Sequence, residues 1–532
     1  MKLSLLESLR GEIQRTNFTF DGVRSLLGEH ADGARLRGVF APAREVLSRR
    51  DDGGLTTLVR LFLLAETIDA DLFDTTLPGL GATAALELGL VQADHSGGLR
   101  AQLSLNPVRL SDAISPGGVD WCIISDLDDH LRGGPARTDH VMGVGGATRS
   151  LIAQLSGRAR STCLDLGTGC GIVALHLALR GNVVATDVSA RALQMAETNA
   201  VINGLADRIE FRAGSLFEPV AGEQFDLIAS NPPFVITPRD AGGVPQYDYR
   251  DAGMVGDELA GQVVRGAMAH LTDGGEMVCL ANWESPWGSD GLDRVGAWIA
   301  AAAPTPAAAW VIERDRLTPA QYAETWVRDG GVRATDDEFE VLMRAWLHDF
   351  AAREITSIGL GSIRVRRMAG GSAIPAANGA KLLVAEDPAA PAVRLEQVTT
   401  PMAESGFGDS LEAAFNAGVA CQRLTDDQVL DTRWVCHDGV REIRTHRPGH
   451  ESPMAITLVT EQPFHREVAA DAVLAAAVGA CDGELTLRQI ADALATLLDV
   501  DAADCATALV EGARELTWLG MLTSHDDADT TA

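Results

Sequence analysis

Asn231-Pro232-Pro233-Phe234 closes the apolar run Phe225-Asp-Leu-Ile-Ala-Ser230, and about 60 residues upstream stands Asp165-Leu-Gly167-Thr168-Gly169-Cys-Gly171. The first group suits work on a planar nitrogen. The lone pair of an amide or nucleobase amino group is delocalised into the neighbouring π system, so that nitrogen is a poor nucleophile. The side-chain oxygen of Asn231 and the backbone carbonyl of Pro232 can accept its two N–H bonds and favour electron density at nitrogen. Pro232 and Pro233 lack N–H groups and have fixed φ, which keeps the carbonyls pointing outward. Phe234 offers a flat apolar face to the planar group. The glycines do different work, because a backbone without Cβ atoms turns sharply and approaches a ligand closely. Asp187, 22 residues after Asp165, supplies a carboxylate able to accept from both hydroxyls of a ribose.

These residues need particular elements beneath them. Thr162 to Leu166 is a short apolar strand, Ile172 to Arg180 reads as a helix, and Asn182 to Thr186 is a second strand closed by Asp187. A glycine loop between strand and helix is the nucleotide-binding turn of doubly wound sheets. A dinucleotide-binding dehydrogenase would carry a further glycine at position 172, which is Ile172 here. Asn-Pro-Pro alone could be a strand-terminating turn; the glycine loop upstream argues for chemistry.

The Gly-x-Gly-x-Gly spacing led by Asp165 resembles the S-adenosylmethionine loop of class I methyltransferases. The resemblance implies that Asp165, Gly167, Thr168, Gly169 and Gly171 hold the methionine end of S-adenosyl-L-methionine and Asp187 its ribose, with Val188, Ser215, Leu216 and Asn231 also at the cofactor. It makes Asn231, Pro232, Pro233 and Phe234 the catalytic group. Methyl transfer from a sulfonium is an in-line displacement, so placing the nucleophile matters more than a strong base. Ala185-Thr-Asp187-Val-Ser189, Asn199-Ala200, Gly214-Ser-Leu-Phe-Glu-Pro219 and Phe225-Asp226 extend the likeness to the release-factor glutamine methyltransferases, in the small-methyltransferase-domain group, over residues 140 to 285 or so. The expected acceptor is a glutamine side-chain amide of a translation-related protein. Adenine and guanine amino-group methyltransferases have similar Asn-Pro-Pro-aromatic motifs, and release-factor enzymes typically end theirs in tyrosine where this chain has Phe234. An rRNA or DNA nucleobase is therefore the alternative. A non-catalytic cofactor-binding scaffold is a third, opposed by the presence of Asn231 and Asp187.

Composition narrows the classes. A chain of 532 residues exceeds one core. The formal charge of −30 opposes phosphate neutralisation and favours a protein partner. Against this stand Arg35, Arg37, Arg44, Arg49 and Arg50, then Arg364, Arg366 and Arg367, then Arg441, Arg444 and Arg447. Convergence of these beside Phe234 would favour a nucleobase. Eight cysteines without a Cys-x-x-Cys pair predict neither a metal site nor a disulfide framework and fit a reducing cytoplasm. Cys163 and Cys170 read as packing residues. No apolar run approaches the ~18 residues of a membrane span. Met1 to Arg15 reads as an amphipathic helix, not a signal peptide.

The expected fold class is α/β, a central doubly wound, seven-stranded Rossmann-like sheet flanked by helical, winged-helix-like N- and C-terminal domains. Residues 1–115 form an N-terminal accessory domain, with helices over Leu55 to Ile68 and Leu80 to Val91 and a hairpin around Gly97-Gly98. Residues 116–390 form the methyltransferase domain, 391–460 a mixed segment with strands at Trp434 to Cys436 and Ile456 to Val459, 461–525 a C-terminal helical domain, and 526–532 a disordered tail. Asp139 to Thr148 reads as a loop over the cofactor, with His140 structural. After Phe234, the insertion Val235 to Gly256 offers Arg239, Tyr247 and Arg250 as substrate contacts. A helix from Glu258 and strands at Glu276 to Leu280, Ala308 to Glu313 and Ile355 to Val365 complete a mostly parallel sheet whose late strand is antiparallel.

Overall fold

The computed structural model describes residues 3–50, 53–95, 97–132, 137–239, 253–302, 307–368 and 392–525. The glycine- and alanine-rich stretch after Met368, up to residue 391, and the tail 526–532 lie outside the described residues.

Among the described residues, seven helical segments and one π-helical segment, Val59–Leu63, build the N-terminal region. They are followed by strands β1 (Val91–Ala93) and β2 (Leu99–Ala101), which pair antiparallel. A second antiparallel pair, β3 (Leu103–Leu110) and β4 (Val119–Asp126), follows directly. Successive side chains of a strand point to opposite faces, and this hairpin uses both. Leu105, Cys122 and Ile124 pack into the N-terminal core, while Val108, Leu110, Trp121 and Ile123 pack into the core of the central domain. The boundary expected near residue 116 falls in the connection between these two paired strands.

The central sheet is built from β5 (Thr162–Leu166), β6 (Asn182–Asp187), β7 (Ile209–Ala213), β8 (Phe225–Ser230), β9 (Leu271–Pro286), β10 (Ala307–Leu317), β11 (Ile355–Arg367) and β12 (Ala392–Gln397), in the order β12-β10-β11-β9-β8-β5-β6-β7. Pairing is parallel except where β11 runs antiparallel to β9 and β10. The late antiparallel strand is as expected, but the sheet has eight strands where seven were expected. The eighth, β12, pairs in parallel with β10 from Ala308↔Ala392 to Glu313↔Gln397. Its sequence Ala-Val-Arg-Leu-Glu-Gln has no apolar run, because an edge strand is wetted on one side, and its partner lies some 80 residues earlier. Central strands have both faces covered and read as apolar runs. The helices Gly146–Ala153, Ile172–Leu177 and Ala190–Ile202 pack on one face, and Glu258–Ala267 and Gly291–Ala301 on the other.

β9, β10 and β11 are 16, 11 and 13 residues long and outrun their parallel neighbours. Their overhang carries the helices Pro319–Asp329 and Asp337–Ala352, whose Tyr322, Trp346 and Phe350 join Val235, Ile236 and Ile358 in a separate cluster. The chain leaving Phe234 therefore runs under a second, smaller core.

At the opposite end of the sheet, the helix Phe407–Gln422 lays Phe407, Leu411 and Phe415 against Ala308 and Trp310 of β10. The expected strands near 434 and 456 are present as Arg433–Cys436 and Ala455–Thr460. The former pairs with Asp482–Thr486 and Leu522–Ser524, so one core runs from Cys421 to Leu522 across position 460.

Candidate active site

The site starts where β5 ends. Gly167, Gly169 and Gly171 have φ of 81°, 55° and 85°, the left-handed region that favours glycine. A Cβ at Gly171 would stand 2.8 Å from the Ala196 Cβ, whereas Gly167 and Gly169 face open space. Two of the three glycines thus leave room beside the loop, and the third lets the next helix approach its neighbour. The backbone N–H groups of Gly167 and Thr168 both donate to the Thr186 carbonyl at 2.9 Å, tying the loop to β6. Asp165 is buried and accepts from Thr168 Oγ1 at 2.6 Å. Burial pushes its carboxyl up to about 7, against the opposing pull of the Thr168 and Ala174 hydrogen bonds.

Asp187 closes β6, half-buried, and accepts from the Gly169 N–H at 2.9 Å and the Ser189 N–H at 2.8 Å. Val188 beside it is 68% exposed, an apolar side chain presented at the loop mouth. The Gly214 N–H donates to the Asp187 carbonyl at 3.0 Å, which brings Ser215 and Leu216 to the same corner. Leu216 has φ of 47°, a costly conformation for a branched side chain that the surroundings must enforce. The glycine loop, Asp187, Val188, Ser215 and Leu216 therefore meet at the carboxyl edge of adjacent strands.

Sequence reasoning quoted Asn199 but gave it no role in the site. Its Nδ2 donates to the carbonyls of Cys170 and Ile124, both at 2.8 Å, and its Oδ1 accepts from the Ile124 N–H. One turn later, Asn203 exchanges hydrogen bonds with the backbone of Cys122. Two asparagines at i and i+4 of a helix thus pair with β4 as a strand neighbour would, and Asn199 also fixes the glycine loop. Polar side chains on the buried face of an otherwise apolar helix were the available signal.

Ser230 stands opposite Leu166 in the β8–β5 register, and its Oγ donates to the Leu166 carbonyl at 2.8 Å. The Asn-Pro-Pro-Phe segment consequently leaves the sheet immediately beside the glycine loop. Asn231 Nδ2 donates to Thr148 Oγ1 at 3.2 Å; Thr148, expected in a loop over the cofactor, instead stands in the first turn of the helix Gly146–Ala153, which therefore touches the motif. Asn231 Oδ1 is buried and accepts no hydrogen bond from the described residues. Pro232 is buried, and Phe234 is half-buried between the central core and the overhang cluster. The Ile236 N–H donates to Tyr322 Oη at 3.1 Å, and Asn282 Nδ2 donates to the same oxygen at 2.7 Å. Pro233, Phe234, Met254, Leu259 and Asn282 line a cleft beside the motif.

Arg239 reaches the rim of that cleft, with its Nε donating to the Met254 carbonyl at 2.6 Å. Tyr247 and Arg250 lie outside the described residues. His140 is buried 3.6 Å from Asp126; burial lowers its pKa against the pull of that carboxylate, and it stands with Arg191 and the Val141 N–H around Asp126 as part of the anchor of the loop. Among the described residues, no group of three His, Cys, Asp or Glu side chains is placed to hold a metal ion. All eight cysteines are free, and burial pushes the thiols of Cys163 and Cys170 up to about 12 and about 11, out of reach of thiolate chemistry near neutrality.

The arginine groups do not converge beside Phe234. Arg364 and Arg366 bind Glu276, which pairs with Leu227 near the start of β8, whereas Phe234 follows its end. Arg367 meets Asp273 at 3.0 Å. Arg35, Arg44 and Arg49 are held by Asp32, Glu66 and Glu45, and Arg441 and Arg444 by Glu461 and Glu442.

Residues 142–290 match the methyltransferase small domain family, and residues 15–102 match a domain family of unknown function. The chain is 39% identical over 128 residues to a release factor glutamine methyltransferase of Xylella fastidiosa, covering 23% of this chain and 46% of that one. It is 38% identical over 141 residues to a release factor glutamine methyltransferase of Bordetella pertussis, covering 24% and 51%. Over 148 residues it is 32% identical to a ribosomal protein uL3 glutamine methyltransferase of Bradyrhizobium diazoefficiens, covering 26% and 46%. The chain spans about half the length of these curated relatives. The matches make residues 142–290 similar to the methyltransferase small domain.

Proposed function

We propose that the protein transfers the methyl group of S-adenosyl-L-methionine to a glutamine side-chain amide of a translation-related protein. The observation that carries the reading is Asn231 Oδ1, a buried acceptor without a partner among the described residues, at a strand end beside the glycine loop. A buried polar atom left unmade costs about 1–3 kcal/mol, a cost removed when a substrate N–H fills it. With Asn231 Oδ1 and the Pro232 carbonyl as acceptors, a primary amide can place both its N–H bonds.

The residues fit the cofactor. Gly167 and Gly169 leave space where side chains would stand, the Asp187 carboxylate lies at the strand end beside the loop where ribose hydroxyls would reach it, and Val188 is an exposed apolar surface for a flat ring. Asp165 and Thr168 would hold the amino-acid end, with Ser215 and Leu216 closing the far side. Bound there, S-adenosylmethionine supplies an electrophilic methyl on a sulfonium. This chain's share is to orient the amide nitrogen, exclude water with Phe234, and keep Asn231 aligned through Thr148.

The names of the relatives support a protein acceptor. The arginine positions support it too, since a nucleic-acid substrate would need cations at the mouth of the site and the clusters are elsewhere. The test is transfer of tritiated methyl from S-adenosylmethionine into lysate, split into protease-treated and nuclease-treated halves. Label lost only to protease is expected; label lost only to nuclease would assign a nucleobase, and no label would leave a cofactor-binding scaffold.

A further inference from the structure

The cleft beyond Phe234 contains a second amide whose nitrogen is tied like that of the first. Asn231 has its nitrogen tied to Thr148 and its oxygen buried without a partner. Asn282, on the overhang of β9, is 2% exposed, has its nitrogen tied to Tyr322 Oη at 2.7 Å, and lines the cleft together with Pro233 and Phe234. No hydrogen bond to Asn282 Oδ1 is formed by the described residues. Tyr322 cannot be released easily, because its ring is packed among Trp326, Trp346 and Phe350 and its oxygen also receives the Ile236 N–H. The Asn282 amide is therefore held with its nitrogen satisfied and its acceptor open. That oxygen is not among the buried unpartnered atoms, so it is open to the cleft that Asn282 lines. Asn282 lies beyond the point where β9 leaves the parallel part of the sheet, since Cys279 is the residue opposite Ser230.

We propose that Asn282 is a substrate-binding residue whose Oδ1 accepts a backbone N–H of the polypeptide beside the methylated glutamine. The two N–H bonds of the reacting amide are taken by Asn231 and Pro232, so a donor reaching Asn282 must come from another group of the substrate. In a polypeptide the neighbouring peptide N–H groups are that supply. Phe234, Met254 and Leu259 give the cleft apolar walls, and Arg239 and Asp257 also line it, the former bound to the Met254 carbonyl and the latter to Arg294. The inference rests on the amide-methylating reading of the site.

The experiment uses the full chain, S-adenosylmethionine, and a purified translation release factor from the same source as acceptor, with the protease- and nuclease-treated lysate in parallel. Asn282→Leu keeps the side-chain volume and removes the acceptor; Asn282→Asp keeps an acceptor oxygen at the same place. For Asn282→Leu, KM for the protein acceptor is expected to rise about 10-fold, the value of one hydrogen bond, with cofactor affinity by calorimetry nearly unchanged and the melting temperature lowered by the lost bond to Tyr322. Asn282→Asp is expected to recover most of the loss, which a purely structural role for the amide would not give. Wild-type transfer to protein with an unchanged KM in Asn282→Leu overturns the Asn282 assignment alone. Wild-type label in neither the release factor nor lysate protein overturns the glutamine reading and the subsite with it. Label in RNA that falls in Asn282→Leu overturns the polypeptide assignment in favour of a nucleobase N–H.

Discussion

At the scale of single residues, the proposed site divides into side chains that would hold a ligand and side chains that hold those side chains. Asp187→Ala removes acceptors for a ribose and is expected to weaken S-adenosylmethionine binding by about 10- to 100-fold, the worth of charge-assisted hydrogen bonds, while the sheet remains folded; titration calorimetry reads it directly. Asn231→Ala should show the converse, a turnover loss of about 100-fold or more with cofactor affinity kept, because a preorganised acceptor is removed and the glycine loop is untouched. Single-turnover transfer at wild-type rate in that variant would end the Asn-Pro-Pro account. Asp165 carries a pH signature. Burial raises its folded-state pKa to about 7, so between the usual carboxylate range near 4 and pH 7 the folded protein keeps a proton that the unfolded chain has lost. Its contribution to the stability of the cofactor-free protein accordingly declines as pH rises through that window and levels off above it. Asp165→Asn should flatten this part of the melting-temperature profile; an unaltered profile would mean that Asp165 titrates as an ordinary carboxylate.

Among elements, the one with most influence on the site is the β3–β4 hairpin. It belongs to two cores through its alternating faces, and its outer strand is paired by Asn199 and Asn203 of a helix in place of another strand. Asn199→Ala should cost roughly 1–3 kcal/mol of stability, since it leaves the Ile124 N–H and carbonyl and the Cys170 carbonyl unmade, and should also lower cofactor affinity because Cys170 lies in the glycine loop. A loss of stability without a change in affinity would show that the loop is held by β6 alone. The strand-loop-helix unit around Gly167 and the β8 strand were readable from sequence, since their cues are local: an apolar run, glycines, an acidic strand end. Thr148, Asn199, Tyr322 and Asn282 were not assigned from it. Each acts across a separation of dozens of residues, and an isolated Thr, Asn or Tyr has no pattern until its partner is known.

For the whole molecule, the decisive junction is the buried carboxylate of Glu276. Burial alone would raise its pKa, but the guanidiniums of Arg364, Arg366 and Arg160 outweigh that and hold it well below the ordinary range. Arg160 also reaches Glu412, and Arg366 reaches Asn416 and lies over the ring of Phe415, so the same cluster attaches the helix Phe407–Gln422 to the sheet. Glu276→Ala should destabilise the protein by about 3–5 kcal/mol, because three guanidiniums lose their shared counter-charge in a buried setting. The wild-type contribution is present above the ordinary glutamate pKa and lost as pH falls through and below it. Chemical denaturation at neutral pH measures the first; a variant as stable as wild type would show that the cluster is solvated.

The sequence by itself determined the class of sheet, the place of the glycine loop and of Asn231, and the acidic end of β6, because each depends on neighbours within a few residues. Tertiary structure alone decided that the sheet gains an eighth strand from beyond the expected domain limit, that the arginines are spent on carboxylates away from the site, and that the cleft beside Phe234 is completed by the overhang of β9 and the helices on it. Those outcomes depend on which distant segments share a core, and burial energy is settled by the packed whole.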